Sequence, residues 1–372
     1  MTNVSHLAIV IGSLQMGGAE KAAVHLANEF ERRGIRVDMV MVNAKGEFIS
    51  NLEPGVRVID LKARHTRRAG KPFRNYILKE QPEIVIAIQS HVQLMVLMTR
   101  HKHRLTFPVI LNEQSIFSSN VPARGLKNIL IRILAKKYFP LADAVAAVST
   151  ATAKDFTVCF PELNGRVDVI YNPVLPSVLT KETISVPDHP FFQSQEVPLI
   201  MSAGRLNPSK DFTTLLKAVS IVRKQIPVHL MILGEGEERE NLLRQAKELQ
   251  ITESFSLPGF IPNPMSWMNY ASVFVLSSKY EGLPFVLVEA MSVGCPVIST
   301  DCPGGSSEIL GNGTYGRMVP VGDPERMAEA IVFTLKNRIN KSILQKRASD
   351  FSAGSVVNNY LELIDKIRKG NE

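Results

Sequence analysis

Short apolar runs, each followed by a turn and then a helical stretch, recur along this chain in two separate series, and no other feature limits its fold as much. Residues 6–12 form a continuous apolar run ending in glycine, followed by a polar loop and a helix-like stretch over 19–33 that Gly34 closes. The alternation continues through runs at 36–42, 84–88, 109–111 and 144–148. Runs that stay apolar, instead of alternating with polar residues, are the pattern of parallel strands covered by helices on both faces. The first half therefore reads as a doubly wound α/β domain.

Near 167–173 the chain reads "VDVIYNP", a short strand stopped by proline, and then loses periodicity until Pro198. A second series follows, with runs at 199–203, 229–233, 254–257, 273–276 and 297–299. The architecture repeats although the sequence does not. The expected division is a first Rossmann-like domain over 1–172, a second over 173–350, and a tail over 351–372. Within the tail, Val357, Tyr360, Leu361, Leu363 and Ile364 share one helical face that needs a surface to pack on. The tail is expected to cross back to the first domain.

A length of 372 residues agrees with two cores of ordinary size. With 45% hydrophobic and 21% charged residues, the composition excludes disordered and fibrous classes. The first residues lack the basic start, apolar core and small-residue cleavage site of a secretion signal, and no run approaches the roughly 18 apolar residues of a spanning helix. A cytoplasmic protein is expected, with any membrane contact peripheral, at the inner face of the cell membrane. Three cysteines, Cys159, Cys295 and Cys302, have no zinc-ligand spacing and imply neither a structural metal nor a disulfide framework. The net charge of +8 is uneven: residues 1–175 carry +9 and the remainder −1. The first half is expected to face an anionic partner, whether nucleic acid, phospholipid or a phosphorylated substrate.

Ligands of open parallel sheets bind beyond the carboxyl ends of the strands, so the loops there hold the candidate chemistry. In "GSLQMGGAE", Gly17 and Gly18 precede a helix, where the backbone can approach an anion, although a purely structural turn reads the same way. In "GRLNPSKDF", Arg205 and Lys210 lie between a strand end and a helix that Asp211 opens. Two cations there suit a diphosphate and can stabilise the charge on a departing nucleotide without a metal. Either cation alone would read as a solvated surface residue. No Asp-x-Asp pair follows any of these strands. The segment "YEGLPFVLVEAMSVGCPVIST" is the most informative: Glu281 precedes a helix start at Pro284, and Glu289 lies inside the helix among apolar neighbours. Carboxylates at such positions accept hydrogen bonds from sugar and ribose hydroxyls, while the N–H groups near Phe285 and Val286 attract anionic oxygens.

The ordered segments "GGAE", "YNPV", "GRLNPSKD", "LGEGEE", "LPGFIPNP", "EGLPFVLVEA" and "DCPGGSSEIL" resemble glycosyltransferase family 4 across nearly the whole chain. The resemblance implies a GT-B fold of two Rossmann-like domains facing a central cleft, and a retaining, metal-independent, hexosyltransferase-type enzyme that needs no cofactor. It implies that Arg205 and Lys210 hold the diphosphate of a nucleotide-sugar, UDP favoured over GDP. Glu289 would hold the ribose hydroxyls and Glu281 the sugar hydroxyls, with Gly17 and Gly18 closing over the phosphates. Gly236 and Phe260 match the sugar-side and base-side loops. Many members place a histidine in the loop after a first-domain strand, where this chain has Asn112 and Glu113, and His91 is the nearest other candidate.

Two basic clusters point to the acceptor. One holds Lys62, Arg64, Arg67, Arg68, Lys71 and Arg74; the other holds Arg124, Lys127, Arg132, Lys136 and Lys137, interleaved with Leu126, Ile129, Leu130, Ile133 and Leu134. A basic amphipathic helix suits an anionic membrane and a lipid-linked oligosaccharide acceptor of surface-polysaccharide biosynthesis. The same pattern also describes a helix with an apolar core face and a solvated basic face. No nucleic-acid partner is expected, since no recognition module is present. The alternatives are a nucleotide-sugar epimerase and a non-catalytic nucleotide-sugar sensor of the same fold.

Overall fold

The computed structural model describes residues 4–15, 17–121, 125–175, 187–193, 196–337 and 339–370. The chain divides into two compact units, Met1–Ser177 with Phe351–Glu372, and Val178–Asp350.

The first unit is built on β1 (His6–Ile11), β2 (Arg36–Met41), β3 (Arg57–Asp60), β4 (Ile84–Ile88), β5 (Val109–Glu113), β6 (Ala144–Ala147) and β7 (Val167–Val169). They form one sheet in the order β3-β2-β1-β4-β5-β6-β7, with every neighbouring pair parallel. The uninterrupted apolar runs are explained by β1, which sends Ala8 and Val10 into one core and Leu7, Ile9 and Ile11 into the other. The first core is covered by helices that include α2 (Gly70–Glu80), α3 (Ser90–His103), α4 (Leu126–Tyr138) and α5 (Thr150–Cys159), and the second by α1 (Gly18–Arg32).

The second unit repeats the plan with β8 (Leu199–Ala203), β9 (His229–Leu233), β10 (Phe255–Gly259), β11 (Val273–Leu276), β12 (Val297–Thr300) and β13 (Arg317–Val319). Their order is β10-β9-β8-β11-β12-β13, again all parallel. Its helices include α6 (Phe212–Arg223), α7 (Arg239–Glu248), α8 (Phe285–Ser292), α9 (Pro324–Lys336) and α10 (Lys341–Ser349).

Two strands have no counterpart in the apolar pattern of the sequence, and both are short and lie at sheet edges. The β13 strand has three residues; β3 is half-exposed and alternates in burial, as an edge strand does. Beside its parallel ladder with β2, an ion pair braces β3: Arg57 donates to both carboxylate oxygens of Asp38 on β2, at 2.8 and 2.7 Å, and reaches Glu80 at 2.6 Å. Asp38 is fully buried. Burial alone would raise its pKa, but hydrogen bonds from Arg57, then Tyr76 and His6, outweigh that effect and hold it below the ordinary value.

The chain ends in α11 (Ala353–Gly370), which packs on the first unit through Val356, Val357, Tyr360, Leu363, Ile364 and Ile367. Arg33 fastens it to α1 by donating to Asn358 Oδ1 at 2.6 Å and to the Gly354 carbonyl at 2.7 Å. Among the described residues no helix is long and apolar enough to cross a membrane.

Tyr360 is 1% exposed, stands edge-on to Phe30, and accepts a 2.6 Å hydrogen bond from Asn112 Nδ2 at the end of β5. Tyr360→Ala is expected to destabilise the first unit by about 3–5 kcal/mol, and Tyr360→Phe by about 1–3 kcal/mol because the Asn112 amide loses its acceptor. Urea unfolding followed by circular dichroism checks this. The fluorescence of Trp267, the sole tryptophan and a residue of the second unit, should shift less in midpoint.

Candidate functional site

In the second unit the strand order reverses between β8 and β11, which places the loops after these two strands beside each other. The chain ties them together: Ser277 Oγ donates to the Lys210 carbonyl at 2.7 Å, and the Lys279 N–H to the Ser209 carbonyl at 2.8 Å. Lys210 ends a 3₁₀ turn, Pro208–Lys210, that Asn207 caps by accepting from Ser209 N at 3.2 Å. Its ammonium meets Glu281 Oε1 at 2.5 Å, and Ser278 Oγ donates to the same oxygen at 2.6 Å. Among the described residues both of these hydrogen bonds go to Oε1 and none goes to Glu281 Oε2, so one oxygen is anchored and the other keeps its acceptor capacity. Arg205 is exposed at the start of the same loop. Asp211 stands at the N-cap of α6 in a left-handed conformation (φ 46°), but its carboxylate accepts from the Thr214 hydroxyl and caps no backbone N–H.

Two further strand-end loops close around this pair. The Leu206 N–H donates to the Glu235 carbonyl at 2.8 Å, and Gly236, at φ 156°, passes so near that a Cβ there would sit 2.3 Å from the Leu206 carbonyl oxygen. Gly304, at φ 132°, passes the Glu281 carbonyl oxygen as closely, at 2.0 Å from a would-be Cβ. Glycine at these positions lets four loops assemble at one edge of the sheet. Phe260, after β10, is 66% exposed, an unusual state for a large aromatic ring. Pro284 occupies the N-cap of α8, Phe285 and Val286 are half-buried in its first turn, and Glu289 is 5% exposed one turn further on. The second unit thus brings Arg205, Lys210, Gly236, Glu281 and Glu289 to loops and a helix start beyond one edge of its sheet.

The first unit has its own reversal, between β1 and β4. Gly17 is the N-cap of α1 in extended backbone (φ −175°), and Gly18 is the first helical residue. The space above Gly17 is taken by the carboxylate of Glu20, which accepts from Gln89 Nε2 at 2.8 Å, while Gln89 Oε1 accepts from Gly12 N at 3.3 Å. His91, exposed in the first turn of α3, points its Nε2 to within 3.4 Å of where a Cβ on Gly12 would lie.

Asn112 and Glu113 are not loop residues, as the sequence implied; they are the last two residues of β5, 3% and 1% exposed. The β5 strand continues through them because β4 pairs with it as far as Asn112 and β6 as far as Glu113. Glu113 accepts from Ser115 Oγ at 3.3 Å, and among the described residues its Oε2 and Gln93 Oε1 are both buried without a hydrogen-bond partner. Burial pushes the Glu113 carboxyl up to about 7. Among the described residues, no group of three or more His, Cys, Asp or Glu side chains is gathered as metal ligands would be.

Several participants were not singled out in the sequence: Ser277 and Ser278, which fasten the second-unit loops, and Gln89, Glu20 and Gln93 in the first unit. A serine in a polar loop carries no signal until its partner, some 67 residues away for Ser277, is known.

Two doubly wound parallel units, one presenting a cation–carboxylate pair at its strand-end reversal, define the GT-B class of sugar transferases. The family model described as Glycosyltransferase Family 4 matches residues 16–177, and that described as Glycosyl transferases group 1 matches residues 188–351. The chain belongs to glycosyltransferase family 4. It is 26% identical, over 96% of its own length and 99% of the relative's, to N-acetylgalactosamine-N,N'-diacetylbacillosaminyl-diphospho-undecaprenol 4-alpha-N-acetylgalactosaminyltransferase of Campylobacter jejuni. A lipopolysaccharide core biosynthesis glycosyltransferase, LpsE of Rhizobium meliloti, is 33% identical over 45% of this chain and 50% of the relative. The crystal structure of HepE from Anabaena in complex with UDP superposes with a TM-score of 0.77 at 20% identity, covering 97% of this chain and all of that one.

An unfolded glutamate gives up its proton near the ordinary value of 4.5, whereas buried Glu113 keeps its proton until about 7. Across that interval the folded chain holds the extra proton, so its stability falls as the pH rises and the loss is complete above about 7. The expected loss is on the order of 3 kcal/mol, and Glu113→Gln should remove it. Unfolding free energies of both proteins at pH 5 and pH 8 check this: the stability gap between them should change by that amount.

Proposed function

We propose that this glycosyltransferase is a retaining, metal-independent enzyme that moves a hexose-type sugar from a UDP-sugar to a lipid-linked oligosaccharide in surface-polysaccharide assembly, working peripherally at the inner face of the cell membrane. The observation that carries this reading is the Lys210–Glu281 pair, held across the β8/β11 reversal with one Glu281 oxygen free. Lys210 and Arg205 would face the donor diphosphate, the free Glu281 oxygen a sugar hydroxyl, and Glu289 the ribose hydroxyls.

In this reading the bond between the anomeric carbon and the diphosphate oxygen breaks while the acceptor oxygen bonds to that carbon on the same face. The acceptor proton passes to an oxygen of the departing diphosphate. No side chain need act as base; Lys210 and Arg205 stabilise the charge that grows on the leaving group, and the loops supply position. The acceptor and the UDP preference draw support from the relative that acts on a diphospho-undecaprenol substrate and from the UDP complex of HepE.

A panel of UDP- and GDP-sugars, assayed for binding and for turnover with EDTA present, tests the proposal. One UDP-sugar is expected to bind selectively and without regard to EDTA, and both Arg205→Ala and Glu289→Ala should weaken it at least tenfold. Binding that survives both substitutions would show the donor site to be elsewhere. Product that forms without a second sugar would favour an epimerase, and binding without turnover on any acceptor a sensor.

A further inference from the structure

The packing of the first unit leaves a groove of about 810 Å³ between α2, α3, α4 and the turn Thr66–Arg68. Its inner wall is apolar, formed by Leu94, Met95 and Met98 of α3 and Leu134 of α4. Its rim is cationic: Arg67, Arg68, Lys71, Lys102 and Lys137 line it, together with histidines, and among the described residues no Asp or Glu does. Among the described residues none of these five cations is paired with a carboxylate. Other cations of the unit are engaged, Arg57 by Asp38 and Glu80, and Arg100 by Asp143. Five cations without a carboxylate partner, Lys137 among them lying over the Tyr138 ring at 5.4 Å, surround an apolar wall and are complementary to a molecule that is both multiply anionic and apolar.

The surroundings of the groove narrow the choice of occupant. His91 lines it and also borders the carboxyl end of β1 at Gly12. On α4 the groove residues Leu134 and Lys137 continue a single helical stripe with Leu130 and Ile133, which are 57% and 59% exposed. Large apolar side chains exposed in line with a cationic groove suit contact with hydrocarbon. Arg132 takes no part, since its guanidinium turns inward to donate to the Val121 carbonyl at 2.7 Å. Of the sequence cluster, Arg124 and the side chain of Lys127 lie outside the described residues.

We infer that this groove binds the phosphate-bearing head of the lipid-linked acceptor. The phosphates lie against the five cations, the first hydrocarbon units against Leu94, Met95, Met98 and Leu134, and the rest of the tail leaves along Leu130 and Ile133 into the bilayer. The inference rests on the acceptor class given under the proposed function and deepens it by assigning that acceptor a site. A soluble glycan would have no use for the apolar wall, and a bare anionic membrane would meet the helix stripe without filling the groove.

Farnesyl diphosphate in neutral detergent micelles is a direct probe, with inorganic diphosphate, farnesol and phosphatidylglycerol vesicles as comparisons. Farnesyl diphosphate is expected to bind at least tenfold more tightly than inorganic diphosphate or farnesol. Lys71→Glu with Lys102→Glu should weaken it at least tenfold and leave UDP-sugar binding and circular dichroism unchanged. Leu130→Ser with Ile133→Ser should weaken farnesyl diphosphate severalfold and inorganic diphosphate not at all. The inference is overturned if farnesol or inorganic diphosphate binds as well, if charge reversal has no effect, or if phosphatidylglycerol vesicles displace the probe as effectively as excess farnesyl diphosphate. A wild type that binds farnesyl diphosphate but no UDP-sugar overturns the donor assignment and leaves the groove standing. The converse result removes the groove alone.

Discussion

Each strand of both sheets runs parallel to its neighbours, and that constraint determines where chemistry can occur. Parallel strands need crossover connections, here largely helical, so all the loops that follow strands emerge at one edge of a sheet. Where the order reverses, at β1/β4 and at β8/β11, the crossovers leave to opposite faces and the loops between them part. The Lys210–Glu281 pair stands at one reversal and the Gly12, Gln89 and His91 group at the other. A sheet with antiparallel strands would have divided these loops between two edges.

The two units use this common plan differently. In the second, close glycine approaches and serine hydrogen bonds draw four loops together, and Lys210 and Glu281 are held in place by contacts within the unit. In the first, the polar groups near the reversal satisfy one another, Gln89 bridging Glu20 and the Gly12 N–H. Five of its cations that lack a carboxylate partner among the described residues lie instead around the α2–α3–α4 groove. The +9 of the first half, which the sequence could not assign to a partner, is thus partly engaged in ion pairs such as Arg57–Asp38 and partly displayed around the α2–α3–α4 groove.

The strands buried on both faces were legible because hydrophobicity alone specifies them: β1, β4, β8 and β11 are apolar at nearly every position. Two of the four edge strands, β3 and β13, were not: both are short, and β3, which alternates in burial, is braced by Arg57 reaching across to Asp38, 19 residues earlier, a partner that no local pattern encodes. The C-terminal helix could be read as apolar on one face, and its docking on α1 follows from that face. Glu113 was misplaced by convention: a polar "NEQ" following an apolar run reads as a loop, yet pairing with β6 carries β5 through it and buries the carboxylate.

The sequence by itself determined two doubly wound units, the loops that carry their polar chemistry, and the side chains in those loops, because buried strands, helix starts and glycine turns are written in contiguous residues. Only the tertiary structure decided which of those side chains meet. Lys210 and Glu281 are 71 residues apart and share a hydrogen bond, Glu113 gains a raised pKa from its burial, and cations from separate helices surround one groove. Contacts of this kind depend on crossover geometry and on the exclusion of water, and neither is a property of any segment taken alone.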